Sequence, residues 1–79
     1  MRELQRIEKA GSTVNEEGRI NGNLNLSRAI GDLFYKRNDR LPPKEQAITA
    51  FPDVTVNPST PKTDFLVAGC DGIWESHNN

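Results

Sequence analysis

The sequence is poor in cysteine and histidine, with one of each in 79 residues. One cysteine excludes an internal disulfide, and no Cys/His cluster offers a zinc site. Aromatic residues make up only 6%. Leu, Ile, Val and Phe together are 18 of the 79 residues, just above the ~20% level below which disorder is the default reading. The core is therefore thin, and chains of this size rarely draw more than about 3–5 kcal/mol from such a core without a staple. Neither sign of charge is in excess: 10 Lys+Arg stand against 11 Asp+Glu, a net charge of −1. That balance argues against a nucleic-acid or membrane-surface binder relying on bulk charge. No apolar run approaches the ~18–20 residues that span a bilayer, and no signal-peptide pattern opens the chain. The expected setting is soluble, intracellular and reducing. A thin core without a staple also points to part of something larger.

Local patterning is informative. Leu4, Ile7 and Ala10 form one stripe, so Arg2 to Ala10 reads as a short helix ended by Gly11. The charges Glu3 and Lys9 read as its solvated face. Asn21-Gly22 is a type I′ turn signal with Arg19-Ile20 and Leu24-Asn25-Leu26 as arms. Ser27 is placed to cap a helical turn of Arg28, Ala29 and Ile30 that Gly31 would end. Arg37 to Pro43 reads as a polar surface loop. Ala47 to Phe51 and Asp53 to Val56 read as strands separated by Pro52, and Asn57 to Pro61 as a loop. Asp64 to Cys70 is the most apolar run and suits a central strand buried on both faces. Ile73-Trp74-Glu75 reads as the start of a helix with Trp74 as a core anchor. The charge is uneven: residues 46–79 carry Lys62 alone against Asp53, Asp64, Asp71 and Glu75, which favours a cation there.

Asp71 is the sharpest chemical candidate. A carboxylate directly after a buried strand is held rigidly where a hard divalent cation takes oxygen ligands, and Gly72 keeps the space beside it clear. The alternative is a turn aspartate capping the next helix. Cys70 sits in an apolar run, where a free thiol is an inert small hydrophobe, and no Arg follows it to hold a phosphate. Arg28 and Asp32, four apart, could pair on a helical turn, either supporting a phosphate or metal site or simply fixing the turn. His77 falls in a polar terminus with no partner at a recognisable spacing. One carboxylate alone cannot make a two-metal site.

Four blocks resemble the metal-dependent protein phosphatase 2C (PP2C) family. They are Glu3-Leu-Gln-Arg-Ile-Glu-Lys-Ala-Gly11; Arg19-Ile-Asn-Gly22 running into Leu26-Ser-Arg-Ala-Ile-Gly-Asp32; Glu45-Gln46 with Phe51-Pro-Asp-Val54; and Asp64-Phe-Leu-Val-Ala-Gly-Cys-Asp-Gly-Ile-Trp74. The resemblance implies an α+β fold: part of a PP2C-like antiparallel β-sandwich flanked by helices. Residues 1–22 would be a flap-like segment, and 23–79 core strands and the start of a helix. It implies two Mg²⁺ or Mn²⁺ ions activating a water that attacks phosphoserine or phosphothreonine in a protein substrate. Only Asp71 matches a metal ligand of the family; Arg28, Asp32 and Gly72 match supporting positions, and no catalytic residue is carried over. The family's Asp-Gly-His-Gly block, its N-terminal phosphate-binding Arg and its late Asp-Asn are absent. Ser12, Asn25 and Glu75-Ser76 depart from the usual residues. The 79 residues alone are therefore expected to be inactive, with the remainder of the domain, and no nucleic acid or membrane, as partner. The rival readings are a non-catalytic phosphatase-like binding module and, on the residues alone, an aspartyl-nucleophile phosphatase. The latter usually wants a second Asp two residues away, where Gly69 and Ile73 stand.

Overall fold

The computed structural model describes residues 2–76. Helix α1, Arg2–Lys9, forms as the Leu4/Ile7 stripe requires, with Glu3 in its first turn and Arg6 and Lys9 in its last, each sign at the end the helix dipole favours. It ends in a Schellman cap. Gly11 takes φ +90°, its N–H donates to Glu8 O, and Ser12 N–H donates to Ile7 O, both at 3.0 Å. A left-handed residue there carries no Cβ penalty only as glycine.

The chain then folds back twice. Antiparallel bridges join Val14 to Ile20 and Ile20 to Leu24. The second reversal is the expected turn: Asn21 and Gly22 have φ of 51° and 72°, and Asn23 N–H returns to Ile20 O at 3.0 Å. Asn15 organises the first, its Oδ1 accepting from the N–H of Glu17 and Arg19. After this, a parallel bridge pairs Arg28 with Thr49. Short 3-10 turns cover Leu33–Lys36 and Pro43–Glu45.

Ile7, Ile20 and Ile48 make the core, with Val14, Leu24, Ala29 and Tyr35 packed against it. Ile48 is 0% exposed. Gln46 is buried beside it but fully engaged. Its Nε2 donates to Asn38 O and Leu41 O, both at 2.8 Å, while its Oε1 accepts from Asn38 N–H at 3.0 Å. One amide thus closes the 38–41 loop, as a buried polar side chain must to offset its desolvation.

The described residues contain no continuous strand, which corrects three sequence expectations. Of Ala47 to Phe51, only Thr49 joins a bridge. Asp53 to Val56 and Asp64 to Cys70 form no ladder, and every residue from Ala50 to Ser76 is exposed, Leu66 at 92%. A strand is defined by pairing to a neighbour, and apolar character alone supplies none. The radius of gyration, 16.1 Å, exceeds the about 12 Å of a compact chain of this length, in keeping with an ordered first half and an extended second. Helix α2, Asp71–Trp74, is a single turn. Trp74 is half-exposed rather than a core anchor; its ring lies over Gly69, where a Cβ would stand 3.1 Å from it. His77 lies outside the described residues.

Candidate functional site

Asp71 and Gly72 open helix α2, with Cys70 before them in an extended conformation. Ile73 N–H donates to Cys70 O at 3.0 Å and Glu75 N–H to Asp71 O at 2.7 Å. The Asp71 side chain is exposed. Among the described residues no group of three or more His, Cys, Asp or Glu gathers to hold a metal ion. The donors present therefore do not by themselves fit a divalent-cation site, which takes around six oxygen ligands.

Arg28 does not pair with Asp32. The bridge to Thr49 extends the backbone at Arg28, so the close approach that a helical turn gives to residues four apart is lost. Asp32 instead sits exposed in a left-handed conformation, φ 48°, before the Leu33–Lys36 turn. Ser27 caps no helix; its hydroxyl donates to Glu3 Oε2.

Arg28 turns towards α1 and the start of the extended half. Its Nη2 donates to Glu3 Oε1 at 2.7 Å, and its Nη1 reaches Phe51 O at 3.1 Å and Asp53 Oδ1 at 3.3 Å. Arg6, largely covered, donates from Nη1 to Glu3 Oε1 at 2.8 Å, from Nε to Gln46 O at 3.0 Å and from Nη2 to Ser27 O at 2.6 Å. Arg2 Nη2 meets Asp53 Oδ1 at 2.8 Å. Glu3 thus accepts from three side chains, and the Arg28 guanidinium first, then the Ser27 hydroxyl and Arg6, hold its carboxyl down at about 2 against the burial that opposes them. Glu3 in turn raises the Arg28 guanidinium above its ordinary value, and Arg2 and then Arg28 lower Asp53. This web borders a cleft of about 470 Å³ lined by Arg2, Arg6, Arg28, Lys44, Glu45 and Asp53 among others.

Sequence reading placed Glu3 on a solvated helix face and missed it as a hub. The signal available was its three-residue spacing from Arg6; its meeting with Arg28 and Asp53 depends on the tertiary fold. What the web does chemically is positioning: it ties α1 to the 27–28 bridge and to residues 51–53.

Comparison with known proteins gives these residues their context. The chain is 60% identical over 72 residues to protein phosphatase 1G of Rattus norvegicus and of Homo sapiens, covering 91% of the chain and 13% of each relative. It is 54% identical over 77 residues to probable protein phosphatase 2C 3 of Paramecium tetraurelia, covering 98% of the chain and 25% of that relative. It therefore spans only a small part of the relatives it matches. Among solved structures, the crystal structure of a phosphatase from a pathogenic strain of Toxoplasma gondii matches with a TM-score of 0.65 and 49% identity. That match covers 67% of this chain and 17% of that one. About two thirds of the chain thus follows a phosphatase of known structure, and with the family model for protein phosphatase 2C matched over residues 1–79, the chain belongs to the protein phosphatase 2C family.

Proposed function

We propose that the chain is part of a protein serine/threonine phosphatase that hydrolyses phosphoserine and phosphothreonine in protein substrates. In this reading Asp71 supplies one oxygen ligand to a Mg²⁺ or Mn²⁺ site whose other ligands are not among the described residues. Asp53 to Val56 and Asp64 to Cys70 take their places as strands of the family's sandwich once neighbours pair with them, and residues 1–22 form the flap-like segment. Arg28 serves the fold through Glu3 and Asp53 rather than through the metal. The observation that carries the reading is the family match along all 79 residues, with the Asp71-Gly72 turn inside it.

The test has two arms. The purified 79-residue chain should show no turnover of a phosphothreonine peptide with Mn²⁺ present; turnover abolished by Asp71→Asn would overturn the expected inactivity. In a complete domain containing this segment, Asp71→Asn should lower the rate by more than about 100-fold, since losing even a partner of a metal ligand can cost that much. An unchanged rate would remove Asp71 from the site.

A further inference from the structure

We propose that Thr60 is a phosphorylation site for a proline-directed protein serine/threonine kinase. The inference does not rest on the phosphatase reading. Thr60 is the one Ser or Thr in the sequence that directly precedes a proline, and a second proline stands two positions before it, in Pro58-Ser59-Thr60-Pro61. Kinases of this class recognise such a pair through rings of fixed φ and, at Pro61, through an N–H that is missing and so needs no partner in an apolar pocket.

The structure presents this motif for modification. Every residue from Asn57 to Asp64 is exposed. Apart from the two proline rings the stretch carries no apolar side chain, so burying it would gain little whatever packs around it. The backbone forms a turn with Pro61 in its second position: Thr63 N–H donates to Thr60 O at 2.9 Å and Thr60 N–H to Thr63 Oγ1 at 3.1 Å. Among the described residues the Thr60 hydroxyl has only local partners, the Lys62 N–H at 3.2 Å and the Thr63 hydroxyl at 3.4 Å, and no carboxylate or packed neighbour holds it back.

In the transfer, Thr60 Oγ1 attacks the γ-phosphorus of ATP supplied with the kinase. The P–O bond to the β-phosphate breaks, ADP leaves with the bridging oxygen, and the hydroxyl proton passes to a carboxylate of the kinase. The product carries about two more negative charges at neutral pH, beside the Lys62 backbone N–H that already faces the oxygen.

The experiment incubates the purified chain with a kinase of the mitogen-activated, proline-directed class and Mg-ATP, alongside an established substrate peptide as control. Tandem mass spectrometry then locates the phosphate. The expected result is one phosphoryl group on Thr60, absent in Thr60→Val, unchanged in Ser59→Ala and reduced at least roughly tenfold in Pro61→Ala, the loss typical of removing one specificity contact. Phosphate on another residue, or none while the control peptide is phosphorylated, overturns the proposal.

Discussion

Removing the Glu3 carboxylate charge should release helix α1 from the rest of the fold, and the structure sets the size of the effect. Glu3 titrates at about 2 in the folded chain against 4.5 ordinarily. The folded value is the lower one, so its contribution to stability is complete above pH 4.5 and is lost as pH falls from there through about 2. At face value that depression is worth about 3 kcal/mol. The side chain is 36% exposed, however, and solvent screening brings the figure to about 1–2 kcal/mol. The groups facing it are Arg28, Ser27 and Arg6, and Asp53 shares Arg28. Amide hydrogen exchange at Ser12 and Ala29, whose N–H groups bond within the cap and across the bridge, reports the docking. At pH 7, Glu3→Gln should lower protection at these amides roughly 5- to 30-fold, the population change that 1–2 kcal/mol implies. The variant should also lose most of its decline below pH 4.5 while keeping the smaller part due to Asp53. Protection equal to the parent's at pH 7, or an undiminished acid decline, would refute the reasoning.

Ile48→Ala should cost about 2–5 kcal/mol, the range for emptying a fully buried aliphatic site. Against so thin a core that loss should abolish cooperative urea unfolding followed by far-UV circular dichroism. Gln46→Ala strands Asn38 N–H, Asn38 O and Leu41 O. It should cost about 1–3 kcal/mol for the polar groups left unpaired, with proteolytic cleavage appearing first between residues 38 and 41. For Asp71→Asn in a complete domain, a steep drop in phosphopeptide hydrolysis is expected with substrate binding measured separately.

What the sequence made legible was local. Gly11 ends α1 and Asn21-Gly22 turns the chain because both need only a positive φ and near-neighbour hydrogen bonds. Ile7 was readable from helical spacing, and Ile48 from its apolar stretch. The Glu3–Arg28 contact joins residues 25 apart, and no period or turn signal encodes such a meeting. Ser27 and Arg28 misled for a related reason: their cap-like pattern was overridden by one parallel bridge to Thr49. The Asp64–Cys70 stretch shows the limit from the other side. Its apolar run gives strand propensity, but pairing depends on a neighbour, and the described residues supply none. Asp71 follows the same logic. Its place in the turn was readable, whereas the companions a cation needs cannot be inferred from a single acidic position.

The bare Phe65-Leu66-Val67-Ala68 stretch separates two properties that usually travel together. In most proteins, folding conceals the sticky segments, so a more stable fold also stays dispersed longer. Here that stretch faces water while the isoleucine cluster is fully formed, and strengthening the cluster would leave clumping untouched. Colloidal behaviour instead falls to the flanking Asp64 and Asp71, whose like charges oppose side-by-side stacking of chains.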